Sequence, residues 1–509
     1  MTTFDAAFQG LALILTWQVA LAILVGFFLG FLVGAVPGFN DSNLMAIMLP
    51  LTIYLDPMIA IIGMSALYFA AQAAGAIPAI LINIPGTGGA AATTIEGYPM
   101  AQKGLAGYAL GLSHGGSFFG AGVGALASIL IAPALGLFAL RFGPAEMFLL
   151  GIFGLSIVGA LAGKDLLKAV IAILLGLLAS LVGVDPSTAF VRGTFGVLEL
   201  YDGFSLMAVI LGLFGLPELI DLVTKKSVSA SEQVSDRELD SNLVKGFFDT
   251  FKYRMALIVS SIFGLVIGIV PGAGAAISAY VSYGFTKQLS KHPETYGKGE
   301  PEGLVAAECA NNVTACAAIV PLLTLGLPGS GSTTVMLAAL VLHGIRPGPQ
   351  FFAEFQVEAF TIFWSFFISA VLIAIVGCWI SKYTRRLVYV AGYILVPTVL
   401  LLLFVGAYAT NSSIFDLGVV ALFGVVGLIM RALRYPIPAF LLAFILGPIL
   451  EANYLRATRI GGTDIFFQSG ISRTLIVLSV LSIAVPALWF VIRRHLTSNS
   501  RLETPNAAH

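Results

Sequence analysis

Four Pro-Gly pairs sit inside runs of sequence that carry no charge, and that combination leaves few folds open. Residues 6–40, 57–95, 104–140, 255–286 and 309–345 contain no Asp, Glu, Lys or Arg. Pro37-Gly38, Pro85-Gly86, Pro271-Gly272 and Pro328-Gly329 fall in four of these five runs. A helix that spans a bilayer needs about 20 apolar residues, so each run holds a span plus an irregular turn or a second short helix. Proline removes a backbone donor and glycine admits unusual dihedrals, so each pair predicts a broken helix or a re-entrant hairpin. Inside hydrocarbon such breaks survive only where they are buried in protein or line a polar cavity.

Composition agrees. Only 10% of the 509 residues are charged and 58% are hydrophobic, against about 25% charged in soluble domains. The apolar runs are continuous rather than alternating, which excludes an outer-membrane barrel, and a net charge of zero gives no argument for nucleic acid. The first basic residue is Lys103. A cleaved signal peptide wants a basic start, so 11–35 is expected to be a retained first helix. Further helices are expected near 58–80, 105–140, 145–162, 166–184, 204–223, 255–269, 303–326, 355–380, 388–410, 414–430, 434–450 and 473–492, with short pieces near 43–55, 89–102, 273–286 and 331–344 flanking the breaks. The fold class is an all-α integral membrane protein of about twelve transmembrane helices, by the length a span requires.

The breaks come in two matched pairs. Pro37 and Pro85 are 48 positions apart, Pro271 and Pro328 are 57 apart, and the polar segment 287–302 absorbs the difference as a longer loop. Gly97-Tyr98-Pro99 follows the second break much as Gly344-Ile345-Arg346-Pro347 follows the fourth. The chain therefore divides into two related halves, 1–224 and 255–492, joined by a polar linker, 225–254, and closed by a tail, 493–509. Basic loops favour the cytoplasm, which places the linker and Arg493-Arg494 inside and the N-terminus outside.

Paired interruptions in the two halves of a membrane protein point to a transporter's binding site. Each break frees backbone N–H groups at the start of the next helix, and these with the helix dipole attract anions by up to about 2 kcal/mol per helix end. Two such ends facing each other suit a di- or tricarboxylate. The substrate-binding residues are accordingly Pro85, Gly86, Thr87, Gly88, Pro328, Gly329, Ser330, Gly331, Ser332 and Thr333. Side-chain oxygens and freed carbonyls suit a hard cation, which gives Pro37, Gly38, Asn40, Asp41, Asn43, Gly272, Gly274, Glu308, Asn311 and Asn312 for the coupling ion. Close helix packing alone explains one Gly- and Ser-rich break; four in matched order point to a site. Asp41 and Glu308 stand out because a charge at membrane depth costs roughly 2.5–3.5 kcal/mol even on lenient scales. Glu96 and Lys103 flank a Gly-Tyr-Pro turn and are placed at an interface, while His114 and His343 read as packing residues.

Enzyme chemistry finds little footing. No G-x-x-x-x-G-K-[ST] and no H-E-x-x-H occurs, so the chain has neither a P-loop nor that zinc motif. Asp464 in Gly461-Gly462-Thr463-Asp464 lacks the Gly-x-Gly-Asp order of an intramembrane aspartyl protease, and nothing pairs Ser330 with His343 or His114. Cys309, Cys316 and Cys378 show no metal-ligand spacing, and small residues packing between helices account for the first two.

The segments Gly303-Leu-Val-Ala-Ala-Glu308-Cys-Ala-Asn311-Asn312, Pro321-Leu-Leu-Thr-Leu-Gly-Leu-Pro328-Gly329-Ser330-Gly331-Ser332-Thr333-Thr334 and His343-Gly344-Ile-Arg-Pro347-Gly348-Pro349 resemble the large membrane subunit of the tripartite tricarboxylate transporters, the TctA family. Gly34-Ala-Val-Pro37-Gly38, Leu49-Pro50-Leu-Thr52, Ile80-Leu-Ile-Asn83-Ile-Pro85-Gly86-Thr87 and Gly97-Tyr-Pro99 extend the resemblance through the first half. It implies a multi-pass permease of the bacterial inner membrane. Its partners would be a periplasmic substrate-binding protein and a small four-helix membrane subunit, with no tightly bound cofactor. An organic carboxylate would be imported on a Na+ or H+ gradient; the alternative is a passive organic-anion channel. One departure is notable. Where the family commonly shows a Leu-Gly-Pro-Thr-Thr type of stretch after the first break, this chain has Phe39-Asn40-Asp41-Ser42-Asn43. The acid and two amides this adds point to a carboxylate other than citrate, or to a different coupling ion.

Overall fold

The computed structural model describes residues 2–36, 40–161, 166–185, 189–224, 242–377, 379–381 and 392–484. Pro37, Gly38, Cys378, the greater part of the expected linker and the whole expected tail lie outside them. The chain forms two compact units, one of residues 1–141 and 204–432, the other of 142–203 and 433–509.

The first unit opens with α1 (Thr3–Ile14), α2 (Trp17–Gly34), α3 (Asp41–Thr52), α4 (Pro57–Ala74), α5 (Ala76–Ile82), α6 (Thr93–Gln102) and α7 (Ala106–Ala139). The single helix expected over 11–35 is thus two. Thr16 is extended (φ −69°, ψ 139°), and its hydroxyl donates to the Leu13 carbonyl at 2.6 Å. That local bond competes with helix continuation, and the apolar pattern gives no sign of it. Entry to α4 follows sequence rules closely: Asp56 accepts from the N–H groups of Met58 (3.0 Å) and Ile59 (3.3 Å), with Pro57 in the first turn.

The second unit contributes α8 (Pro144–Leu161), α9 (Leu166–Ser180) and a two-stranded antiparallel ribbon, β1 (Gly183–Val184) with β2 (Val191–Arg192). The first unit resumes with α10 (Leu206–Ile210), a π-helical turn at Leu211–Gly215, α11 (Leu216–Thr224), α12 (Leu243–Asp249), α13 (Arg254–Ile269), α14 (Gly274–Leu289), α15 (Pro301–Ala317), α16 (Ile319–Leu325), α17 (Gly331–Leu342), α18 (Pro349–Glu354), α19 (Gln356–Leu372), α20 (Gly392–Asn411) and α21 (Ile414–Ala432). The second unit closes with α22 (Ile437–Gly461), α23 (Ile465–Gln468) and α24 (Gly470–Ala484). In that unit Arg192 holds Glu451 through two bonds, at 2.6 and 3.1 Å, tying the ribbon to α22.

Among the described residues, seven helices are long and apolar enough to cross a membrane, or eight if the pair bent by 79° at Tyr253 counts as one span. Part of the stretch whose charges mark a linker is ordered: α12 packs on α7, with Gly246 against Tyr108. The first unit is built around α15, on which every residue from Gly303 to Ala317 is buried. Two glycine stripes let backbones reach it. On α7, Gly116, Gly120 and Gly124 face Glu308, Cys309, Val313 and Cys316; on α13, Gly264 and Gly268 face Val313 and Ala317. Such small-residue stripes replace the hydrophobic drive that lipid does not supply. A Cβ on Gly120 would stand 2.5 Å from the Cys309 carbonyl oxygen, whereas one on Gly122 would meet nothing within 4 Å. Gly120→Leu is therefore expected to lower the thermal unfolding midpoint in detergent markedly, and Gly122→Ala to leave it unchanged. Equal midpoints for the two variants would show that α7 does not pack this way.

Candidate functional site

The breaks at Pro85 and Pro328 fold alike. In each, a short helix ends in a left-handed residue two before the proline, Asn83 (φ 59°) or Gly326 (φ 72°). The next N–H then turns back to the carbonyl of a proline seven before the break: Ile84 to Pro78 at 3.4 Å, Leu327 to Pro321 at 3.2 Å. The glycine after the break is wedged against two helices. A Cβ on Gly86 would stand 2.5 Å from the Gly34 carbonyl and 2.8 Å from Gly75 Cα; one on Gly329 would stand 3.3 Å from the Gly268 carbonyl and 2.8 Å from Ala318 Cβ. The third break is anchored on the fourth, with Gly272 N–H donating to the Pro328 carbonyl (3.2 Å) and Gly274 N–H to the Gly329 carbonyl (3.0 Å).

Two buried carboxylates stand beside these loops. Asp41, the first residue of α3, accepts on Oδ2 from Gln72 Nε2 of α4 at 2.8 Å and from the hydroxyl of Ser332 on α17. Ser332 Oγ is also 2.9 Å from Ser42 Oγ. Glu308 of α15 accepts from the hydroxyls of Thr93 and, at 3.3 Å, Ser117. Asn312 Nδ2 donates to Ser117 Oγ and to the Glu308 carbonyl, both at 2.9 Å. No salt bridge among the described residues reaches either carboxylate, and none of these residues form a group of three His, Cys, Asp or Glu able to hold a metal ion.

Buried polar atoms without partners include Gln72 Oε1 and Asn312 Oδ1, on residues bonded to Asp41 and Glu308, both amide atoms of Asn311, and Thr87 Oγ1, which lies against Gly75. Asn311 and Asn312 are 0% exposed, Thr87 3% and Gln72 4%. Gly89 makes room between two of them: Gln72 Oε1 is 2.9 Å from the place a Cβ there would take, and Asn311 Oδ1 is nearer still. A buried polar group without a partner costs about 1–3 kcal/mol, which makes the Gln72 and Asn311 atoms beside Gly89 the candidate contacts for a ligand.

The remaining sequence candidates sort by position. Ser330 and Thr333 cap α17 reciprocally, Ser330 N–H donating to Thr333 Oγ1 (2.7 Å) and Thr333 N–H to Ser330 Oγ (3.2 Å). Their side chains are thus committed to the helix start, and Ser332 is the one that reaches across. Asn43 points elsewhere, donating to Glu218 Oε2 at 2.5 Å, which also accepts from Arg431 at 3.2 Å. Pro328 is buried and Pro85 and Gly331 are half-buried, whereas Asn40 and Gly88 are exposed and Asn40 makes no side-chain cap bond. Gln72, Ser117, Glu218 and Gly89 were not singled out from the sequence. Gln72 had a usable signal, as the one amide in a charge-free helix; Ser117 and Gly89 are hidden among small residues.

Glu96, placed at an interface from its neighbours, is fully buried. Its carboxylate accepts from Tyr283 Oη (2.7 Å) and from the N–H groups of Gly297 (2.5 Å), Gly299 (2.7 Å) and Glu300 (2.7 Å). It pins the segment between α14 and α15 to the helix following the second break. Glu96→Gln turns an amide towards these donors and should destabilise the fold by about 1–3 kcal/mol, read as faster hydrogen exchange at residues 297–300. Unchanged exchange there would contradict this anchoring role.

The comparisons with known proteins bear on the same region. The profile of the tripartite tricarboxylate transporter TctA family matches residues 20–442, a span that includes all four breaks. The chain belongs to the TctA family. It is also 34% identical over 475 residues to an uncharacterised 52.8 kDa protein in the TAR-I ttuC' 3' region of Agrobacterium vitis, covering 91% of this chain and 92% of that one. A second Agrobacterium vitis protein, from the TAR-II ttuC' 3' region, is 30% identical over 232 residues, 44% of this chain and 94% of its own length. No solved structure matches. As a TctA member with its apolar helices, the chain is a multi-pass membrane component of a transporter, and this family is not one of enzymes.

Proposed function

We propose that the chain is the permease of a binding-protein-dependent secondary transporter in a bacterial inner membrane, importing a di- or tricarboxylate or related organic anion on a Na+ or H+ gradient. It works with a periplasmic binding protein and a small four-helix membrane subunit. About twelve membrane crossings, full and re-entrant, form two related halves around the breaks; the like geometry at Pro85 and Pro328 supports that pairing, and re-entrant crossings are expected where broken helices line a site.

The observation that carries this reading is the buried cluster of unpartnered atoms beside two carboxylates. It offers donors for an anion, Asn311 Nδ2 and the Thr87 hydroxyl, and oxygens for a cation, Gln72 Oε1, Asn311 Oδ1 and Asn312 Oδ1. Asp41 and Glu308 favour the cation half of the pair. An ionised carboxylate without a counter-charge is expensive in a low-dielectric interior, so a proton or Na+ is the partner each calls for.

The test is uptake of a labelled di- and tricarboxylate panel into proteoliposomes holding this chain and its small subunit, with and without binding protein, under Na+, H+ or no gradient. Accumulation above equilibrium that requires the binding protein and one gradient is expected. Flux that only equilibrates, whatever the gradient, would contradict the reading and favour a channel. In the same assay Asn311→Ala, which removes two buried amide atoms that have no partner in the fold, should abolish accumulation while the protein still reaches the membrane.

A further inference from the structure

The two like-folded breaks differ in what fills them. Counted from their prolines, Ser332 and Gly89 occupy the same position, as do Ser330 and Thr87, Gln72 and Ala315, and Tyr68 and Asn311. Counted from Pro37 and Pro271, Asp41 corresponds to Ala275. At the fourth break the Asp41 carboxylate lies in place, bonded by Ser332 and Gln72. At the second break the residue in Asp41's position is an alanine and the one in Ser332's is a glycine, so neither a carboxylate nor a hydroxyl is present. Ala275 nonetheless lies on the buried face of α14, which it shares with Ser278 and Ala279. Ala279 packs with Ala92 just beyond the second break, and Ser278 Oγ is 3.5 Å from the Ala310 carbonyl, next to Asn311. This is also where Asn311 and Thr87 are left without partners, each more than nine-tenths buried.

We infer that a carboxylate of the transported anion binds between Ala275, Thr87 and Asn311, in the place that the Asp41 side chain fills at the other break. The inference rests on the transport reading above and sharpens it. One loop is permanently occupied by the protein's own carboxylate, and the other takes the substrate's. Asn311 Nδ2 and the Thr87 hydroxyl supply the donors that Gln72 and Ser332 supply to Asp41. Charge-neutral donors of this kind fix a carboxylate without an arginine, which keeps the grip reversible enough for release.

The direct test gives the second loop a carboxylate of its own. Ala275→Asp is expected to lower uptake of the carboxylate that the wild-type transporter accumulates by at least about tenfold, equivalent to about 1.4 kcal/mol of lost binding. Ala275→Asn, of similar volume without the charge, should retain at least about ten times the uptake of Ala275→Asp by the same measure. Equal losses in the two variants, or full uptake by Ala275→Asp, would overturn the inference. A second measurement does not depend on Ala275→Asp folding. Ligand that binds only the folded state raises the melting midpoint, and Asn311→Ala should abolish the rise that saturating carboxylate produces in the assembled wild-type transporter. A full rise in Asn311→Ala would likewise overturn it. Failure of the transport reading looks different: the wild-type transporter itself would accumulate no carboxylate.

Discussion

A backbone that stops being helical inside hydrocarbon must find a partner for every N–H and C=O it releases, and the architecture of the first unit follows from how that is met. At the second and fourth breaks a left-handed residue turns the next N–H back onto a carbonyl of the preceding short helix. At the third, two N–H groups are spent on carbonyls of the fourth. This bookkeeping requires the loops to touch, and loops can touch only if helices approach closely, which the stripes on α7 and α13 permit, together with Gly26, Gly30 and Gly34 of α2 against Gly63, Leu67 and Ala71 of α4. The candidate site is therefore a by-product of satisfying the backbone: once the loops meet, the side chains they carry are enclosed with them.

What those side chains do is governed by charge. Asp41 and Glu308 are held by hydroxyls and an amide, and no basic residue among those described pairs with them. Glu218 shows the contrast within the same unit, since Arg431 reaches it at 3.2 Å while Asn43 ties it to α3. One acid is thus paired within the frame, and the other two have only neutral donors among the described residues. Hydroxyl and amide donors orient a carboxylate without neutralising it, and it is on this ground that a proton or cation is proposed as their partner.

Much of this was legible in the sequence, and the boundary of what was legible is physical. Proline and glycine act locally, so the breaks at Pro85, Pro271 and Pro328 could be placed to the residue. Asp41 and Glu308 stand out because each borders a charge-free run, where a charge at membrane depth is costly, and Asn311 and Ser332 follow from their nearness in sequence to the fourth break. Their partners could not be read, because they are set by helix crossings: Ser332 meets Asp41 across 291 positions and Thr93 meets Glu308 across 215. Glu96 is the clearest case. Three of its four donors are backbone N–H groups of a distant loop, which no residue type announces. Likewise the division of the expected helix at Thr16 depends on one hydroxyl's choice of a carbonyl.

The central claim is that the unpartnered atoms of Thr87, Gln72 and Asn311, with Asp41 close by, are the ligand's own contacts. Electron cryo-microscopy of the assembled transporter, holding the carboxylate that it accumulates and the ion that drives it, tests this most directly. Density bridging the loops after Pro85 and Pro328 and touching Thr87 and Asn311 is the predicted result. A ligand bound elsewhere, with this cluster unchanged from the ligand-free state, would contradict the account.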